Sequence, residues 1–139
     1  MQGINVGRVV IGGLVAGLLI NISEFILNMI VLGEDMNAAI ARLNLPPLGG
    51  GAIGTFVVLA FALGIVTVWV YAAIRPRYGA GPVTALRAGA AVWFLAYLYG
   101  SIGMLAMGLF PGRMMAISLI WGLGEILAAS VAGAFFYKE

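Results

Sequence analysis

The stretch from Gly50 to Ile74, GGAIGTFVVLAFALGIVTVWVYAAI, contains no charged residue and no proline. A helix needs about 20 mostly apolar residues to cross the hydrocarbon of a bilayer, and this run is long enough. Working outward from it, prolines and charges cut the chain into three further segments of that kind, Val6 to Gly33, Thr84 to Phe110 and Gly112 to Tyr137. Pro46, Pro47, Pro76, Pro82 and Pro111 are all assigned to the gaps, where a missing N–H and a ring clash harm no helix. The runs are continuously apolar rather than alternating, and too few to close a membrane β-barrel. The sequence therefore predicts an all-α integral membrane protein, an up-down-up-down bundle of four transmembrane helices forming one domain over residues 1–139.

The composition agrees, with 63% hydrophobic residues, 9% charged and a mean hydropathy of +1.13. A soluble domain carries about a quarter of its residues as charges. The absence of cysteine and histidine excludes disulfides, Cys–His nucleophile pairs, haem–His ligation and the usual zinc and iron–sulfur sites. With no nucleophile pair, metal triad or phosphate loop, the chain does not read as an enzyme. No cofactor, metal or nucleic-acid partner is expected.

The first apolar run is longer than the core of a signal peptide, holds Asn21 and Glu24, and lacks a small-x-small cleavage site, so it reads as a retained helix. Arg75, Arg77 and Arg87 cluster between the second and third segments, on the same side as Arg8 and Lys138. The opposite side has Arg42 and Arg113, offset by Glu34 and Asp35. The positive-inside rule then puts both termini in the cytoplasm of a multi-pass protein of a bacterial-type inner or plasma membrane, with Trp69, Tyr71, Tyr78 and Tyr137 as the inner aromatic belt. Between the first and second segments, Asp35 is a candidate N-cap. Met36, Ala39, Ile40 and Leu43 follow at helical spacing, predicting a short amphipathic helix on the outer interface.

In lipid, helix association depends on close backbone approach and buried polar contacts. Gly13, Gly17, Asn21, Glu24 and Asn28 share one stripe of the first helix. Gly89, Ala96, Gly100 and Gly103 share one on the third, and Ser118, Gly122, Glu125, Ala129 and Ala132 one on the fourth. These faces predict helix contacts, and their surplus predicts a homo-oligomer.

Glu24 and Glu125 carry the chemistry. An ionisable residue at the bilayer centre costs roughly 2.5 to 3.5 kcal/mol on insertion scales, and no Lys or Arg lies at their depth to offset it. Glu24 is about 15 Å from Glu34, and Glu125 about 18 Å from Arg113, counted at the helical rise of 1.5 Å per residue, so the carboxyls fall at nearly one level. Such a pair is expected to share a proton or a bound cation. Asn21, Asn28, Tyr97, Ser101 and Ser118 are the expected ligands or hydrogen-bond partners, with Thr55 also available. Most of these polar groups belong to the outer half, predicting a pocket that opens outward. Met29, Met36, Met104, Met107, Met114 and Met115 also map to the outer end; thioethers can bind Cu(I), but without His or Cys they read as packing. The line Trp93, Tyr97, Ser101 and Met104 offers a wall for a flat ligand such as a quinone.

In outline, four helices with a membrane glutamate, Glu24, in the first, the chain resembles the small multidrug-resistance transporters; the second carboxylate and the longer first loop depart from them. The resemblance implies transport. The residues themselves predict a transporter or permeation subunit that binds a small ion or small-molecule ligand at the glutamate pair. The alternative is a structural or accessory subunit, lipid- or quinone-binding, whose polar network only sets packing. Because the chain has no cysteine, the orientation is open to a clean test. Asn37→Cys in intact cells or right-side-out vesicles should react with an impermeant thiol reagent and Tyr78→Cys should not; the reverse pattern inverts the topology.

Overall fold

The computed structural model describes residues 3–139, which form helices and connecting turns, with no strand among them. Asn5 starts the first helix by accepting the main-chain N–H of Arg8 at 3.1 Å, satisfying one of the donors that a helix N-terminus leaves free. Helix α1 (Val6–Phe25) runs on through a widened π-helical turn, Ile26–Val31. After it come the short α2 (Gly33–Arg42) and the long α3 (Gly50–Tyr78). The third apolar segment is α4 (Pro82–Val92), a second π-helical turn (Trp93–Leu98) and α5 (Tyr99–Ala106) in unbroken succession, and the last helix is α6 (Gly112–Phe136). Val6–Val31, Gly50–Tyr78, Pro82–Ala106 and Gly112–Phe136 are each long and apolar enough to cross a membrane.

Three local expectations are corrected. Pro76 lies inside the last turn of α3, and Pro82 at the first position of α4, rather than in gaps. The missing N–H of Pro76 falls where the helix is about to end, at Gly79, whose φ of 84° suits a residue without a side chain and whose N–H bonds the Arg75 carbonyl at 2.8 Å. Asp35 sits in the first turn of α2 and does not cap it; the helix starts at Gly33. Tyr71 and Tyr137 are buried rather than facing outward as a belt, because their hydroxyls accept the N–H groups of Gly81 and Asn5, each at 3.2 Å. Trp69 and Tyr78 are exposed.

Glycines bring the helices to main-chain contact. A side chain on Gly64 of α3 would collide with the Gly13 carbonyl and Gly17 nitrogen of α1. Gly13 and Gly17 in turn accept Ile65 and Phe61, and Gly12 abuts the Gly133 carbonyl of α6. Gly89 of α4 faces Ser130 and Ile126 of α6, beside a hydrogen bond from the Ser130 hydroxyl to the Ala85 carbonyl. A core of Val9, Ala16, Ile20, Val68, Ala85, Ala88 and Ile126 fills the space between these contacts.

The two ends of the molecule are tied separately. At one, Arg75 lies over the Tyr137 ring and places Nη1 2.9 Å from Glu139. At the other, α2 lays Met36 and Ala39 onto Leu27, Leu32 and Met114. Arg42 there donates to the carbonyls of Gly108 and Leu109 beyond α5, and Arg113 pairs with Asp35 at 3.3 Å.

The stripe on the third segment breaks at its π turn. Gly89 is packed, but Ala96, Gly100 and Gly103 are exposed, the two glycines with nothing near a would-be side chain. One extra residue in a turn rotates everything beyond it by about 100° relative to regular helical phase. Gly64→Ala should therefore lower thermal stability in detergent by about 1–3 kcal/mol through overpacking, while Gly100→Ala should cost nothing. Equal melting of the two variants would show that α1 and α3 are free to separate.

Candidate functional site

The adjacent Ser23 and Glu24 near the end of α1 and Glu125 in the middle of α6 face one another because Gly12 and Gly133 hold these two helices at main-chain distance. Glu125 is only 5% exposed, whereas Glu24 is half-buried. The Glu24 and Ser23 side chains both lie within hydrogen-bonding reach of the Glu125 carboxyl. Across from them, the Tyr97 hydroxyl donates to Glu125 Oε2 at 2.8 Å. Asn28 Nδ2 donates to Glu24 Oε2 at 2.8 Å and to the Glu24 main-chain oxygen at 2.9 Å.

Both π-helical turns border this cluster. Asn28 belongs to the first and Tyr97 to the second, and π turns inside α-helices recur at functional sites. Tyr97 also needs Gly122. A Cβ there would stand 2.6 Å from the Tyr97 ring, so the missing side chain lets the phenol pack against α6 one turn from Glu125. Trp93, in the same wide turn, donates its indole N–H to the Leu119 carbonyl at 3.0 Å and holds that turn against α6.

The expected residues do not all converge. Asn21 donates to the Val57 carbonyl of α3 at 3.3 Å, away from the carboxyls. Ser101 and Ser118 are half-buried and make no side-chain hydrogen bond among the described residues. Ser101 lies beyond the second π turn, whose rotation takes it out of line with Tyr97. Thr55 bonds back to the Gly51 carbonyl of its own helix at 2.8 Å. Sequence reasoning passed over Ser23 and Trp121, which are joined by an indole N–H to hydroxyl bond of 2.9 Å. The available signal was Trp121 itself, since a half-buried indole nitrogen seeks an acceptor.

The methionines are not gathered. Met114 and Met115 are buried, while Met104 and Met107 are exposed. No group of three or more potential acidic, Cys or His metal ligands occurs among the described residues. An open groove of about 790 Å3 lies at the α2 end, lined by Met29, Gly33, Glu34, Asp35, Asn37 and Arg113 among others. Neither Glu24 nor Glu125 lines it. No protein family, curated protein or solved structure matches the chain.

The arrangement is a buried carboxyl facing a second, more accessible carboxyl, each with a neutral donor on one oxygen. Tyr97→Phe and Gly122→Ala should damage it by different routes to the same end, the first deleting the hydroxyl and the second displacing the ring. Each should cost about 1 kcal/mol or somewhat more in thermal unfolding, and the double variant should lose clearly less than the sum. Additive losses would mean that the ring keeps its place in Gly122→Ala.

Proposed function

We propose that the chain is a small multi-pass membrane protein, a transporter or permeation subunit, in which Glu24 and Glu125 bind a proton or a cation. The observation that carries this reading is the Glu125 carboxyl itself: it is buried, its Oε1 has no hydrogen-bond donor among the described residues, and the group beside it is another carboxyl. Two such groups in a medium of low dielectric do not both carry charge without an ion between them. Glu24, with part of its surface open, is the side on which that ion arrives, and Glu125 is the interior partner. The four apolar helices cross the bilayer in alternating directions, with both termini on the basic, cytoplasmic side. The amphipathic α2 lies on the outer interface above the groove, and the unpacked glycines Gly100 and Gly103 are available to a second copy.

A second reading has one observation in its favour. The groove at the α2 end excludes both glutamates, and a carboxyl cluster enclosed by side chains also suits an accessory subunit whose network only fixes helix register. Reconstitution separates the two. Liposomes holding the purified chain should show pH- or cation-coupled flux, read with an entrapped pH- or cation-sensitive dye, that falls at least tenfold in Glu24→Gln while the folded fraction is unchanged. The same silence in the parent and the variant, with both well folded, would favour the accessory subunit.

A further inference from the structure

The groups around the carboxyl pair have a polarity, and it distinguishes a proton from a metal cation. Asn28 Nδ2 faces the main-chain oxygen of Glu24, which can only accept, so the amide must present its nitrogen there and its hydrogens are spent on Glu24. The Trp121 indole can only donate, and it donates to Ser23 Oγ. The Ser23 hydroxyl, with that indole on one lone pair, keeps its own hydrogen free beside the Glu125 carboxyl. The Tyr97 hydroxyl donates to Glu125 Oε2. Both neutral groups hydrogen-bonded to the pair, Tyr97 and Asn28, therefore offer it a hydrogen.

A hard cation requires the opposite, a shell of oxygen lone pairs from carboxylates, carbonyls, amide oxygens or water. Here the phenol and the amide turn hydrogens toward the place such an ion would occupy. Among the described residues the donors sit on Glu24 Oε2 and Glu125 Oε2, and the buried oxygen left without one is Glu125 Oε1, next to Glu24. One hydrogen carried by the Glu24 carboxyl completes the set. A second would turn another carboxyl O–H against donors already in place. Among the described residues no other charged side chain compensates the pair: α1 contributes Glu24, α6 Glu125 and the third segment the phenol of Tyr97. The basic residues all lie toward the two ends of the helices.

We infer that the ion bound by Glu24 and Glu125 is a single proton shared between the two carboxyls, and that Tyr97, Ser23 and Asn28 are positioning residues that turn metal cations away. This rests on the carboxyl pair being the ion site of the protein.

Infrared difference spectroscopy of the full chain in detergent at neutral pH, with NaCl, KCl or CaCl2 as the added probe, tests it. The parent should show the carbonyl stretch of a protonated carboxyl, unchanged in intensity by any of the salts. Glu24→Gln, whose amide N–H takes the place of the shared proton, should lose the band. Tyr97→Phe and Ser23→Ala should shift its frequency without making it sensitive to salt, a signature that a purely packing role would not produce. Should CaCl2 or NaCl erase the band and raise the melting temperature, the pair is a metal-cation site, and the proton inference fails while the ion-binding reading stands. A parent with neither the band nor any response to salt would remove both.

Discussion

Main-chain contact at glycine is the constraint from which the rest of this structure follows. Lipid tails give helices no reason to bury leucine against leucine, so association rests on how closely backbones approach. Helix α1 supplies that approach in two directions, through Gly13 and Gly17 to Gly64 of α3 and through Gly12 to Gly133 of α6. It is the central strut, and its axial register against α6 sets which polar groups meet.

Once that register is set, Glu24 and Glu125 have no alternative but to face each other, and the surroundings are organised around the difficulty. Hydrogens reach the pair from a phenol on the third segment and an amide in the π turn after α1, and the Ser23 hydroxyl at the end of α1 is held from α6. The elements that build the site are thus the same elements that pack the bundle. The stability of the bundle and the geometry of the carboxyl pair draw on one set of contacts, which is why the glycine at 122 matters to both.

Much of the architecture is legible in the residues because two signals do not depend on detailed geometry. Charge-free runs such as Gly50 to Ile74 mark apolar helices by length alone, and counting residues from the charged helix ends places Glu24 and Glu125 at one depth. Tyr97 falls at the same level and meets Glu125. What the sequence conceals is phase. Periodicity arguments assume 3.6 residues per turn throughout, and the two π turns break that assumption inside apolar runs where no proline or glycine announces it. Regular helical phase therefore puts Ser101, Gly100 and Gly103 on the wrong face, whereas Gly89 and Ala129, on unbroken helix, pack as that phase predicts. Ser23 went unnoticed because it sits beside Glu24 in sequence, a neighbour that regular helical geometry directs elsewhere.

The widened turn at Trp93–Leu98 bears on how such a bundle arises. A helix anchored at both ends, here by Gly89 against α6 and by Arg42 on the carbonyls of Gly108 and Leu109, can absorb one added residue only by swelling locally. A single inserted codon in a scaffold that already packs can then swing a phenol onto a neighbouring helix without disturbing either anchor. On this view, a polar centre can be written into an inert bundle by a change in length, with no need to invent a new contact surface.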